Sequence, residues 1–198
     1  MSVSLAMLVK DPPIARITML IEYLRPIVSQ VVIVVDDRTS QEDIDILTGL
    51  GAEIVMFHWV DDFAAARNAA LPFCSGDWVL HLDPDELPSV EMFNFIKKID
   101  ERGPWTEGDP VGWLFWTRGF TDGKRAPDLE SSWHCRMFRH GSGEWYKKVH
   151  EQVRLDGQDE SKTRGTPVLR KAPATADFIH SFSENPEKIA YYATLPER

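Results

Sequence analysis

Apolar and polar positions follow two regimes along this chain. Between residues 3 and 82, short runs of consecutive apolar residues alternate with stretches in which apolar positions recur every three or four residues. The short runs read as strands buried on both faces, and the three-to-four spacing reads as amphipathic helix. Val3 to Val9 is the first strand, ended by Lys10-Asp11-Pro12-Pro13. Ile14, Ile17, Leu20, Ile21 and Leu24 predict a helix over 14–25, which Pro26 stops. Val31 to Val35 predicts a second strand running into Asp36-Asp37-Arg38-Thr39-Ser40. A helix from about Gln41 to Leu50 closes at Gly51, and Glu53 to Phe57 is the third strand. Asp61-Asp62 caps a helix over Phe63 to Leu71, whose five alanines leave it slim enough to press on a sheet or a bound ring, with Arg67 and Asn68 reaching outward. Trp78 to Leu82 is the fourth strand, followed by the turn Asp83-Pro84-Asp85-Glu86 and a helix from about Ser89 to Glu101. Four strand–helix units in a row predict a Rossmann-like α/β sheet with helices on both faces.

After Gly103 the pattern changes. Trp113 to Trp116, His134 to Arg139 and Val149 to Arg154 read as strands without long helices between them, a mixed or antiparallel extension forming the second side of a cleft. The polar stretch Gln158 to Ala172 reads as a mobile loop, Ala176 to His180 as one more strand, and Pro186 to Leu195 as a terminal helix. A chain of 198 residues suits one domain over 1–198, with a first half over 1–103 and a second over 104–198.

Composition narrows the class. With 43% hydrophobic and 27% charged residues the chain is ordinary globular protein. Two cysteines, Cys74 and Cys135, imply no disulfide scaffold, and reduced thiols in a cytoplasmic compartment are expected. No apolar run approaches the length of a membrane span, and no secretory signal is expected. The net charge of −9 argues against a nucleic-acid coat. It is unevenly placed: residues 1–110 hold 8 Lys+Arg against 19 Asp+Glu, and residues 118–171 hold 12 against 8. The second region suits either an anionic partner or a plain charged surface.

The chemistry concentrates where strands run out into acids. In an open α/β sheet ligands bind at the C-terminal edge of the strands. Asp83 and Asp85, two apart across Pro84, can turn toward one point there. Hard divalent cations take such oxygen ligands and bridge to substrate phosphates, so a metal and diphosphate site is one reading; a solvated turn ahead of a helix is the other.

Three blocks carry a resemblance: Val34-Val35-Asp36-Asp37-Arg38-Thr39-Ser40, then Asp62-Phe63-Ala64-Ala65-Ala66-Arg67-Asn68-Ala69-Ala70-Leu71, then Gly76-Asp77-Trp78-Val79-Leu80-His81-Leu82-Asp83-Pro84-Asp85-Glu86. In this order they resemble family 2 glycosyltransferases of GT-A fold, and the small branch that includes lipopolysaccharide-core and bacteriocin peptide glycosyltransferases in particular. Val149-His150-Glu151 and Ile179-His180 are similar to late blocks of that branch. The resemblance implies a mixed sheet flanked by helices with a small acceptor-side β extension, and an inverting, metal-dependent transfer from a nucleoside-diphosphate sugar, a UDP-sugar first among them. The acceptor it implies is a glycan, a lipid-linked glycan or a protein. It also implies roles: Asp36 and Asp37 toward uracil or ribose, Arg67 lining the nucleotide pocket, Asp83 toward ribose or the metal, Asp85 as ligand of Mn²⁺ or Mg²⁺ in a DxD motif, and His180 completing the metal shell. The chain departs from the family at Asp11-Pro12-Pro13 and at Arg38, where the family's Asn-Glu-Glu and a glycine are usual. A Gln-x-x-Arg-Trp block is absent, which argues against a processive synthase.

Transfer needs a base for the acceptor proton. Glu151 is the first candidate, with Asp122 and Glu86 as rivals, and Arg67 or Arg139 can help neutralise the diphosphate. Trp113, Trp116, Trp133 and Trp145 suit either stacking on an acceptor or the core. Two other readings stand beside the enzyme: a catalytically silent nucleotide-sugar-binding module, and a haloacid-dehalogenase-like phosphatase. The phosphatase calls for Thr or Val two residues after the second Asp, where this chain has Leu87.

Overall fold

The computed structural model describes residues 1–104, 106–121, 124–125 and 132–181. The expected helix over 186–195 and the rival base Asp122 lie outside the described residues. The first half follows the hydrophobic pattern closely: β1 (Val3–Val9), α1 (Ile14–Leu24), β2 (Gln30–Asp36), α2 (Gln41–Gly49), β3 (Ala52–Phe57), α3 (Phe63–Asn68) and β4 (Trp78–His81). Three helices in the chain start on caps that sequence chemistry favours. Ser40, Asp62 and Ser89 each accept a hydrogen bond from the backbone N–H three residues on. The alanine-rich helix α3 is shorter than its alanines suggest, because Pro72 turns the chain into a 3₁₀ turn over Leu71–Phe73.

The remainder adds β5 (Glu86–Pro88), α4 (Val90–Glu101), β6 (Gly112–Thr121), β7 (Lys124–Arg125), β8 (Trp133–Arg139), β9 (Gly143–Tyr146), β10 (Gln152–Leu155), β11 (Gln158–Asp159), α5 (Glu160–Thr163), β12 (Leu169–Lys171) and β13 (Asp177–Ser181). Among the described residues the strands form a ten-stranded sheet, β3-β2-β1-β4-β8-β6-β13-β5, with β7 and β12 paired to β6, and a separate three-stranded sheet β11-β10-β9. β3, β2, β1 and β4 run parallel; β8 is antiparallel to both β4 and β6. The sheet is therefore mixed, continuous from the Rossmann-like half into the extension.

Both faces of β1, β2 and β4 are buried, which is why they read as unbroken apolar runs, whereas β3 at the edge of the sheet mixes buried and exposed positions. Val3, Leu5, Met7 and Val9 share a core with Ile17, Ile21, Leu47, Met92 and Ile96 of α1, α2 and α4. Residues of opposite parity, Ala6, Val32 and Val34, pack with Ala64, Trp145, Val153 and Leu155, so α3 and the small sheet cover the other face. Gly76 allows β4 to start hard against β1, since a Cβ there would come within 2.6 Å of the Ser4 amide nitrogen.

The stretch 158–172, expected to be a mobile loop, is instead built into the fold. Leu169 and Ala172 are buried, β12 pairs in parallel with β6, and Arg164 forms an ion pair with Glu160 one helical turn back. Asp159 pairs with Arg154, Arg170 donates to the Gly108 carbonyl and Lys171 lies over the Trp133 ring, so these charges are tied to the rest of the fold, a balance that counting charge does not reveal. The strand expected from Val149 begins only at Gln152, because Lys147 and His150 sit at φ 70° and 53° in a left-handed loop.

Candidate active site

The C-terminal edge of β4 carries the densest polar cluster. His81 closes the strand, fully buried, and the chain then turns through Asp83 and Asp85 into β5. Glu86, whose carboxylate is also buried, accepts a hydrogen bond from the Asp83 amide at 2.9 Å and forms an ion pair with Arg136 of β8. That pair folds the acidic turn back onto the sheet.

Arg67 comes from α3 on the opposite side. The expectation that Arg67 and Asn68 reach outward fails: the arginine is 7% exposed. Its Nη1 and Nη2 donate to the two carboxylate oxygens of Asp83 at 2.9 and 3.2 Å, and its Nε donates to Glu151 at 2.6 Å. Burial works against its charge, but Asp83 and Glu151 more than offset this and raise its pKa above the ordinary arginine value. The guanidinium lies 5.1 Å from the ring centre of Trp145, whose indole also meets His81 edge to face. Asn68 is equally committed, since its amide donates to the Trp145 carbonyl at 2.9 Å and accepts from the Trp145 amide at 2.8 Å. Trp145 is thus part of the site's floor and is almost fully buried.

His81 is neutral. Burial pushes its pKa well below the ordinary value, and the Arg67 charge adds to that, with Asp83 acting the other way. Its Nδ1 faces the Arg67 Nη1 donor at 3.4 Å and its Nε2 faces Asp83 at 3.3 Å, which assigns the proton to Nε2.

Asp36 and Asp37 sit at the end of β2, on the same edge of the sheet. Asp36 accepts from the Arg38 backbone at 2.9 Å and from its side chain at 2.7 Å on both oxygens. Arg38 thereby holds the Asp36 carboxyl well below the usual carboxylate range. Asp37 accepts from His58 at 2.7 Å. Asp85 is half-buried at the turn. β13 runs antiparallel to β5 and sets His180 opposite Glu86 in register. Arg139 does not join this group: it pairs in register with Trp78 at the far end of β4 and lines a polar cavity there with Ser75, Asp77, His140 and Ser142. Trp116 and Trp133 contact each other edge to face at 5.4 Å, and Trp113 packs against the main core.

Sequence reasoning missed Arg136 and His81. The signal for Arg136 was a single cation inside the apolar run Cys135-Arg136-Met137-Phe138 of β8.

A divalent ion fits this donor set in one way. Among the described residues no three His, Cys, Asp or Glu side chains converge as a cage. Small hard cations are usually held by one or two carboxylates with substrate phosphates making up the shell, and Asp83 and Asp85, two apart on the turn, are the candidate carboxylates for that pair. Both Asp83 oxygens, however, are engaged by Arg67.

The family model of glycosyl transferase family 2 matches residues 19–141. The chain belongs to glycosyl transferase family 2. It is 40% identical over 97 residues to a TPR repeat-containing protein of Synechococcus elongatus, a match covering 48% of this chain and 23% of that protein. An uncharacterized glycosyltransferase of Rickettsia felis is 33% identical over 85 residues, covering 43% of this chain and 29% of the relative. The chain thus spans under a third of the length of these relatives. In structure it is similar to S. aureus TarS 1-349 in complex with UDP-GlcNAc, with TM-score 0.61 and 14% identity over 93% of this chain and 60% of that one. It is also similar to glucosyl-3-phosphoglycerate synthase from Mycobacterium tuberculosis in complex with Mn²⁺ and UDP-glucose, with TM-score 0.57 and 14% identity over 97% of this chain and 75% of that one. At such identity these likenesses speak for the fold, which is the family's GT-A fold, as the resemblance of the sequence blocks implied. No helix among the described residues is long and apolar enough to cross a membrane.

Proposed function

We propose that this family 2 chain transfers a sugar from a nucleoside-diphosphate sugar, a UDP-sugar first, to a nucleophile on a glycan, lipid-linked glycan or protein, with inversion at the anomeric carbon. Residues 1–103 hold the nucleotide and 104–198 the acceptor, in one domain working in the cytoplasm. The observation that carries the reading is the meeting of Arg67, Asp83 and Glu151: three elements far apart in sequence deliver a buried cation and two carboxylates to the edge of the sheet where this fold class binds ligands. Family membership supports the nucleotide-sugar donor, and the ligands named for the two structural neighbours agree with it.

In this reading the acceptor nucleophile bonds to the anomeric carbon as the bond to the diphosphate oxygen breaks on the opposite face. The electron pair leaves with the diphosphate, and Glu151 takes the acceptor proton. Arg67 faces the charge growing on the diphosphate. Asp36 and Asp37 orient the ribose and base. Glu86 is a poor rival base, since its carboxylate is buried against Arg136. Asp85, with Asp83 and His180, would hold Mn²⁺ or Mg²⁺; when bound, such an ion neutralises a leaving diphosphate.

The test is nucleoside-diphosphate release from a panel of sugar donors with and without Mn²⁺. Asp85→Ala should lower turnover by about 10²-fold or more, in the range set by losing one stabiliser of developing charge, with the circular dichroism spectrum unchanged. Undiminished turnover in that variant rejects the metal role, and donor binding without any turnover in the parent chain identifies a silent binding module. Glu151→Gln should slow transfer by about 10²- to 10⁴-fold, much more than it weakens donor binding.

A further inference from the structure

Arg67 binds both acids that the proposed function needs. Asp83 has both oxygens in the guanidinium fork, and Glu151 has one on Nε. All three side chains are largely withdrawn from water, at 6%, 23% and 14% exposure. A cation approaching Asp83 in this state meets a fixed positive charge about 3 Å behind the carboxylate, where charges interact strongly because solvent screening is low. Glu151 is likewise engaged, with one carboxylate oxygen held by the Arg67 Nε. The guanidinium cannot simply leave, since two buried carboxylates without a counter-charge are far costlier than the pair. It can exchange partners. A diphosphate matches the same planar fork and brings more negative charge than a carboxylate. Asn68 pins the helix backbone to β9, so the exchange falls to the Arg67 side chain above the Trp145 ring.

We infer that Arg67 is a donor-operated latch: in the free protein it ties Asp83 and Glu151 together, and the diphosphate of the donor draws it off, releasing one carboxylate to the divalent ion and the other to the acceptor. The ion then enters with the diphosphate or after it, never before. The inference rests on the proposed donor and metal roles, so its test reads ion binding rather than turnover.

Mn²⁺ uptake by the full chain is followed by the electron paramagnetic resonance signal of the free ion, alone and with uridine diphosphate. The parent chain should bind Mn²⁺ at least tenfold more tightly once uridine diphosphate is present. Arg67→Gln should bind Mn²⁺ alone at least tenfold more tightly than the parent, while its affinity for uridine diphosphate falls at least tenfold. Arg67→Lys, which keeps the charge but holds one acid at a time, should move the same way by a smaller factor, and serves if the first variant does not fold. Equal Mn²⁺ affinity in the parent with and without uridine diphosphate overturns the latch and leaves the proposed function standing. Uridine diphosphate binding with no Mn²⁺ uptake in either condition overturns the metal role itself.

Discussion

Replacing Glu86 by Leu takes away the anchor of the acidic turn, and the structure sets the size of the effect. The Glu86 carboxylate has no exposed surface and the Arg136 side chain has 11%, so the substitution strands a buried cation. Breaking one side of a buried pair costs about 3–5 kcal/mol. The Asp83 amide loses its acceptor as well, but that turn is part-buried and water can replace it, so about 4 kcal/mol in all is the working figure. For a chain of this length each kcal/mol lowers Tm by about 2–4 °C, which makes the drop about 8–16 °C. Arg136→Met should cost a similar amount, because it strands the carboxylate. The double variant Glu86→Leu, Arg136→Met should be less damaged than the two costs added together, since a well-packed apolar pair can replace a buried ion pair almost without loss. Urea unfolding of the four proteins gives the coupling directly, expected at about 2–3 kcal/mol. Additive costs would refute the argument, for then Glu86 and Arg136 do not depend on each other and the acidic turn is held some other way. Donor binding gives a second readout: the single Glu86 variant should bind donor more weakly, because Asp83 is no longer presented by a fixed backbone.

Three further outcomes follow from the same geometry. Asn68→Ala removes two hydrogen bonds to the Trp145 backbone, worth about 2–3 kcal/mol together and about 4–12 °C in Tm, and a thermal melt checks it. Arg38→Ala should destabilise the chain near neutral pH, where depression of the Asp36 pKa contributes in full; because that contribution is lost as pH falls below about 4 toward the lowered folded value, the gap to the parent should narrow in acid. A gap independent of pH in urea titrations rejects that account. Burial pushes the Cys74 thiol up to about 12 and raises Cys135 as well, so a thiol reagent at neutral pH should label neither until the protein unfolds.

The strands and helices of the first half were legible because β1, β2 and β4 are covered on both faces and each helix on one, so burial wrote itself into periodicity. Trp78 to His81 and its acidic turn were legible for the same reason. What escaped were features set by contacts across the chain. β5 has three residues, held by pairing with β13 some ninety positions later, and no local pattern marks it. Arg67 looked like a surface residue because helix propensity says nothing of what packs over a helix, whereas Trp145 and Glu151 enclose it from a distant hairpin. The stretch 158–172 looked mobile because its charges were counted, whereas their partners, such as Arg154, the Gly108 carbonyl and Trp133, lie elsewhere in the chain. Arg139 was put forward by its sign alone; its strand position, opposite Trp78, sends it to the wrong end of the sheet.

The loop before Glu151 ties the two halves together. Lys147 and His150 both hold left-handed backbone, a conformation costing each about 1–2 kcal/mol for a residue with a Cβ. Strain of this kind persists only where the surroundings over-determine it. Here they do so at both ends: the Lys148 carbonyl accepts from the first amide of α3, Asn68 of the same helix pins Trp145, and Arg67 receives Glu151. One short helix of small residues thus fixes the hairpin on one side and the acidic turn on the other. Its alanines matter because Ala64 and Ala66, both buried, let the sheet and the hairpin approach closely enough for a single arginine to reach both carboxylates. A larger side chain at either position would separate the halves of the site before it disturbed any residue proposed to do chemistry.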